Sequence, residues 1–309
     1  MDTTTLGRTG LKVSVAGLGC GGFSRIGIKN GIEHAAGIVR AAYGMGITFF
    51  DTAAAYGTER AVGEGLRGIR RESYALSTKF TYKTDTGPIT AEQMNESLDR
   101  SLRELGTDYI DVFHIHALTA GDFGWARDSM LPELIKAKER GKIRFLGVTE
   151  LFGTDTSHEM FKAVLPEDMF DVIMVGHNML NPSAVERVLP CATKNNAGTL
   201  CMFAVRNALW NREVLEREIE TIIVSGQGGD GLNKNSLDFL TGDGVAKTLT
   251  EAAYRFCRHT KGLDVILTGT GNLEHLEENV RSINMPPLPD DALGRLNALF
   301  GKSDCVSGQ

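Results

Sequence analysis

No run of about 18 consecutive apolar residues occurs in the 309-residue chain, so no segment reads as a membrane-spanning helix. The opening MDTTTLGRTG has no basic stretch followed by an apolar one, and a secretory signal peptide is not expected. Cysteine is scarce: Cys20, Cys191, Cys201, Cys257 and Cys305 are all there is, and none forms a C-x-x-C pair. An odd, scattered set of thiols excludes a disulfide scaffold and fits a reduced, cytoplasmic protein. Excess positive charge is also missing. The net charge of −6 argues against nucleic acid or an anionic membrane as the main partner and leaves a small molecule. No low-complexity linker interrupts the chain, so residues 1–309 read as a single domain, monomeric or homo-oligomeric.

What is present is a regular alternation. Hydrophobic residues make up 42% and charged residues 23%, near the usual globular proportions, so a sizeable core is available. Predicted strands lie at Val13–Gly19, Thr48–Phe50, Tyr74–Lys79, Tyr109–Ile115, Ile143–Val148, Val172–Val175, Thr199–Val205 and Asp264–Leu267. Predicted helices lie at Glu33–Tyr43, Thr58–Leu66, Thr90–Leu105, Met130–Arg140, Thr156–Leu165, Ser183–Asn195, Ala246–His259 and Leu273–Ser282. Thr90-x-x-Gln93 has the form of a capping box. Repeated β–α units demand parallel pairing with helical crossovers. Eight of them fit an α/β fold of the (β/α)8 TIM barrel type, which needs about 250 residues. TTTLGRTGLKVS reads as an N-terminal hairpin, and the tail from Pro286 as a short C-terminal extension with a helix near Asp290–Phe300. Within the longer Asn207–Gly244 region, the Gly-rich Ser225–Asn235 is expected to be a mobile loop.

Active sites of such barrels lie at the C-terminal ends of the strands. The second strand ends at Asp51 with Tyr56 close behind, the third at Lys79 and the fourth at His116. A phenol is a poor acid at neutral pH unless a nearby ammonium stabilises the phenolate, and Lys79 can do this. Asp51 keeps Lys79 charged and oriented. His116 can donate a hydrogen bond to an oxygen as negative charge develops there. The set suits protonation of an alkoxide as hydride reaches carbon. Strand alternation puts His114 on the same side as His116, where it reads as a structural histidine of the barrel interior. No metal-ligand cluster is apparent.

GITFFDTAAAYG (46–57), LSTKF (76–80), DYIDVFHIH (108–116), GKIRFLGVTE (141–150) and VILTGTGNLEHLEENV (265–280) resemble the signature segments of the aldo-keto reductase superfamily. The resemblance runs over roughly Leu6–Ile283. It implies hydride transfer between a nicotinamide cofactor and a carbonyl or alcohol. Tyr56 would be the catalytic acid, and Asp51, Lys79 and His116 would complete the tetrad. It also implies a cofactor extended across the barrel mouth. Gly21 and Gly22 would allow close approach to the nicotinamide ribose, and Asp51 would lie beside it. The adenosine end would meet Thr270, Gly271, Asn272, His275, Glu278 and Asn279 at a helix start that favours anions. The sequence Gly17-Leu18-Gly19-Cys20-Gly21-Gly22 also matches a dinucleotide fingerprint, but a loop follows it where a helix should open.

The chain departs from the family pattern in places. The usual basic residue of the phosphate turn falls on Gly269, and the usual helix arginine on His275. This leaves only a slight lean to NADP(H) over NAD(H), with Arg206 or Arg281 as sources of the missing charge. The usual nicotinamide clamp reads Thr149, Glu150 and Met174. A carboxylate at Glu150 near the ring would favour the oxidised cofactor and make the reduced one a stronger reductant, unless it turns to solvent or pairs with a Lys or Arg. Arg206 falls near the aromatic that commonly stacks on the nicotinamide, and its planar head can stack instead; Phe203 and Trp210 are alternatives. Phe23, Phe80, Phe123, Trp125 and Phe152 are candidate walls of a substrate pocket. Rival readings are a sugar dehydrogenase working in the oxidative direction, a cofactor-sensing binding subunit, and a Schiff-base aldolase using Lys79.

Overall fold

The computed structural model describes residues 1–242 and 244–309. A hairpin of β1 (Thr3–Thr5) and β2 (Lys12–Ser14) opens the chain, and β3 (Ala16–Gly19), β4 (Phe49–Asp51) and β5 (Ala75–Thr81) follow. A two-rung hairpin, β6 (Lys83–Thr84) with β7 (Gly87–Pro88), lies just beyond β5. The remaining strands are β8 (Ile110–Leu118), β9 (Ile143–Glu150), β10 (Val172–Gly176), β11 (Gly198–Met202) and β12 (Val265–Thr268). Strands β3, β4, β5 and β8 to β12 pair in parallel and close into an eight-stranded barrel, so the expected (β/α)8 TIM barrel is observed.

Strand alternation decides where each side chain goes. Phe49, Ala75, Val112, Val172, Met174, Leu200 and Val265 point inward and form an apolar floor with Leu6 and Val13 of the hairpin. The hairpin therefore plugs the N-terminal end of the barrel. Their strand neighbours Leu18, Phe50, Leu76, Phe113, Val148, Ile173, Cys201 and Ile266 face outward into the core beneath the helices. Each fully buried large side chain contributes about 1.5–3 kcal/mol of hydrophobic stabilisation. The helix Ala91–Leu105 begins as its sequence requires: Gln93 N–H donates to Thr90 Oγ1 and the Gln93 side chain accepts from Thr90 N–H. The C-terminal helix spans Asp290–Phe300 as expected.

Four details differ from expectation. Val13–Gly19 is two strands, because Ser14 turns back through its hydroxyl to Ala16 O and Val15 separates them. The helix expected over Ser183–Asn195 is broken at Val188 (φ −119°), two residues before Pro190, which cannot donate to the helical ladder. The strand at Thr199 stops at Met202, since Phe203 takes a left-handed φ of 67°. The Ser225–Asn235 segment is held in place: Gly229 N–H donates to Leu299 O, and Gln227 bonds Asp304. Among the described residues no helix is long and apolar enough to cross a membrane.

Candidate active site

Above the apolar floor the inward positions turn polar. Asp51 pairs in register with Ser77, Lys79 with His114, and Thr81 with His116. Asp51, Ser77, Lys79 and His114 are all buried. Lys79 Nζ lies 2.8 and 2.6 Å from the two Asp51 oxygens and 2.7 Å from Thr52 O. Ser77 Oγ donates to Asp51 at 2.7 Å, which leaves its lone pair to accept from His114 Nε2–H at 3.0 Å. His114 is thus a structural member of a His114–Ser77–Asp51–Lys79 chain, as its position on the strand predicts. Its ring fits only because the facing residue on β9 is Gly147; a Cβ there would overlap the imidazole. Burial is the largest influence on the Lys79 ammonium and disfavours its charge. Asp51 and the phenol of Tyr56 more than offset this and hold its pKa above the usual value.

Tyr56 ends a 3-10 turn, Ala54–Tyr56, that follows β4, and Gly57 at φ 69° releases the chain into the next helix. Its hydroxyl is 3.3 Å from His116 Nε2, and the rings meet edge to face with centroids 5.5 Å apart. Lys79 Nζ lies 5.2 Å from the Tyr56 ring centroid. The tetrad residues picked from strand ends therefore converge on one spot. The phenol is not acidified as the nearby ammonium suggests. Lys79 does pull the Tyr56 pKa down, but burial outweighs it and the phenol sits above its ordinary value. At neutral pH it is a neutral proton donor, with the cation waiting beside it for the phenolate. Burial, reinforced by Lys79, lowers His116 to about 3, so its ring is neutral and can donate from one nitrogen only.

These histidines imply an acid-side instability. Burial pushes His114 well below its usual range, and His177 down to about 3. Between about pH 6.5, the usual histidine value, and about pH 3, the unfolded chain binds protons on these rings that the native chain refuses. Unfolding free energy is expected to fall steadily as pH drops through that window. Urea titrations at several pH values check this, and the slope should shrink in His177→Asn. A flat profile would mean that the rings are protonated in the fold.

The residues expected on the cofactor side occupy one arc of the mouth. Gly21 is forced: a Cβ there would lie 2.5 Å from Tyr56 Cε2. Gly22 follows at φ 70°, and a Cβ on it would be 3.8 Å from Arg206 Nη1. Thr149 Oγ1 accepts from Ala117 N–H at 2.7 Å, leaving its hydroxyl proton free to donate. The helix Leu273–Ile283 is capped by Asn272, whose Oδ1 accepts from His275 N–H. Thr270 Oγ1 accepts from Asn272 N–H, and the Asn279 amide is spent on Thr268 Oγ1. The His275 and Glu278 side chains are exposed. Gly269 is bare because a Cβ would overlap Gly19 O, and a Cβ on Gly271 would lie 2.6 Å from Gly27.

Glu150 neither reaches solvent nor pairs with a Lys or Arg. It is buried, accepts from Gly176 N–H at 2.7 Å and contacts His158 Nδ1 at 2.8 Å. Both oxygens are engaged, and burial holds the carboxyl above its usual range against those contacts. His158 stacks on Phe152, Phe152 meets Phe203 edge to face, and the Arg206 guanidinium lies 3.5 Å over Phe203. Arg206 thus stacks on a protein ring. Desolvation lowers it to about 10, so it is charged at neutral pH, and among the described residues its buried Nε has no hydrogen-bond partner.

Of the aromatic residues suggested for a substrate pocket, Phe80 faces outward, stacked on Phe113 in the core, and is no pocket wall. Phe123 and Phe152 are buried, Trp125 packs on Tyr82, and Phe23 is 75% exposed. Sequence reasoning missed Ser77 and His158. Ser77 carried a signal, being two residues before Lys79 on the same face. His158 carried none, since it enters its helix from a left-handed φ of 62°. A cavity of about 560 Å³ lies among residues preceding β5 and β8, including Tyr74 and Tyr109, at the opposite end of the barrel. That end of a TIM barrel serves stability, so the chemistry is sought at the mouth.

The model of the aldo/keto reductase family matches residues 17–300. L-galactose dehydrogenase from Arabidopsis thaliana is 27% identical over 300 residues, covering 92% of this chain and 88% of its own. L-glyceraldehyde 3-phosphate reductase from Escherichia coli O157:H7 is 24% identical, covering 94% and 90%. The holo form of aldo-keto reductase AKR11C1 from Bacillus halodurans superposes with a TM-score of 0.75 at 23% identity, covering 99% of this chain and 98% of that one. At that identity the superposition speaks to the fold.

Proposed function

The chain belongs to the aldo/keto reductase family, and from that premise we propose that it interconverts a carbonyl and an alcohol using NAD(P)(H), with Tyr56 as general acid. One observation carries the reading: a neutral phenol 3.3 Å from a neutral His116, with the buried Lys79–Asp51 pair beside its ring. A bound reduced nicotinamide supplies the hydride. The Tyr56 hydroxyl gives its proton to the carbonyl oxygen as that oxygen becomes an alkoxide. Lys79 stabilises the phenolate left behind, and Asp51 keeps Lys79 in place. His116 steadies the oxygen from its other side. In oxidation the same groups act in reverse, the phenolate taking the alcohol proton.

The residues of the mouth suit a dinucleotide. Gly21 and Gly22 permit close backbone approach, Thr149 retains a donor, and Arg206 presents a cation with an unpartnered Nε. We take NADP(H) to be slightly preferred over NAD(H). That lean rests on the free Thr270 hydroxyl proton and Asn272 amide, because no cation stands at the turn. Substrates are small carbonyls or alcohols, and the working compartment we assign is the cytoplasm. The 27% identity to an L-galactose dehydrogenase supports a second reading, oxidation of a sugar.

A steady-state screen with NADPH and NADH over aldehydes, ketones and sugars, followed by nicotinamide absorbance, tests the proposal. Turnover of at least one simple aldehyde such as 4-nitrobenzaldehyde, or of a sugar, is expected. Tight dinucleotide binding without turnover of any of them would leave a cofactor-sensing subunit instead. Borohydride trapping of substrate on Lys79 would point to an aldolase.

A further inference from the structure

The turn Gly269–Asn272 holds no cation, and the fold forbids one at Gly269. Yet a dinucleotide brings an anionic diphosphate to this mouth. The segment following β3 shows where the charge is. It starts at the reacting centre, with Gly21 against Tyr56 and Gly22 facing the Arg206 head. It ends on the turn: Gly27 packs on Gly271, and His34 Nε2 donates to Gly271 O at 2.9 Å. Between these ends lies a cavity of about 380 Å³ lined by Gly22, Phe23, Ser24, Arg25, Ile28 and Lys29.

The backbone here is unusual. Arg25, Ile26 and Gly27 are left-handed in succession, with φ of 40°, 51° and 74°. For the two non-glycine residues this conformation is strained, so the surroundings must enforce it. Ile26 is fully buried and pins the segment, while Arg25 and Lys29 stay exposed. Among the described residues neither cation is in an ion pair. A strained loop that holds two unpaired cations along a cleft, on a segment that touches the catalytic phenol at one end and the turn before the capped helix at the other, is arranged for an extended anion.

We infer that Arg25 and Lys29, with Arg206 at the inner end, hold the diphosphate of the dinucleotide. The inference rests on the dinucleotide-dependent reading above. Because NADH and NADPH share the diphosphate, these cations serve both cofactors.

Calorimetric titration of the intact protein with NADH, NADPH and ADP tests this in wild type, Arg25→Gly, Lys29→Gln and the double variant. Arg25→Gly removes the charge and also relieves the left-handed strain, so it should bind more weakly without losing Tm. Each single variant is expected to weaken all three ligands by about ten-fold, and the double variant by more. Wild-type affinity should fall with added salt more steeply than that of the double variant. Affinities in the double variant within about twofold of wild type would overturn the inference, as would a loss confined to NADPH, which would put the cations on the 2′-phosphate. If wild type binds none of the three, the dinucleotide reading itself fails, an outcome distinct from either.

Discussion

Replacing Tyr56 by Phe is expected to lower kcat by about 10²–10⁴-fold while changing the dinucleotide Kd by less than about threefold. The substitution deletes one oxygen and leaves the ring that fills the space opposite Gly21 and packs edge-on against His116. Burial raises the Tyr56 pKa, so the lost group is a protonated donor through the neutral range. Reduction should therefore depend little on pH near neutrality in wild type. Oxidation, which needs the phenolate, should rise toward alkaline pH. Full activity in Tyr56→Phe, measured beside an unchanged cofactor titration, would overturn the proposed mechanism.

The second large effect falls on Lys79. Lys79→Met removes the ammonium from between Asp51 and Tyr56 and leaves a carboxylate buried at 3% exposure without its counter-ion. Breaking a buried pair from one side costs about 3–5 kcal/mol, because a desolvated charge is left uncompensated. The double variant Asp51→Asn/Lys79→Met removes both charges and keeps an acceptor for the Ser77 hydroxyl. It should recover much of the stability in urea unfolding and none of the activity, since no cation remains beside the phenol. If the double variant is as unstable as Lys79→Met alone, the loss comes from packing and not from Asp51. The experiment thus separates what Lys79 does for the fold from what it does for the proton.

Strand alternation explains why Asp51, Lys79 and His116 are legible in sequence, while Tyr56 is read from its place just after β4. Phe49 and Asp51, then Ala75, Ser77 and Lys79, then Val112, His114 and His116 are alternate residues on adjacent parallel strands, so a polar layer above an apolar one follows from the strand assignment alone. The helix Ala91–Leu105 was equally legible, because its cap and its stop at Gly106 are local. What escaped depends on contacts between segments far apart in the chain. Glu150 looked like a free carboxylate at a strand end; its partner His158 reaches it only because that residue adopts a left-handed turn. Arg206 looked like a substitute stacking platform, and it lies on Phe203. The break at Val188 was hinted at by Pro190, but its place depends on how the two short helices pack. Loop conformation was the least legible, since three successive left-handed residues at Arg25–Gly27 are no sequence's local preference.

The main-chain contact between Gly19 and Gly269, and between Gly27 and Gly271, has a practical corollary for redesign. Two loops that touch backbone to backbone leave no allele at 269 or 271 that simply adds a charge; a new side chain must first part them. Shifting the proposed cofactor preference between NADH and NADPH is thus not a single-codon change at the turn. Any side chain introduced there must displace the backbone of the facing loop. A library aimed at position 275, whose side chain already projects into solvent, starts from a site the fold leaves free.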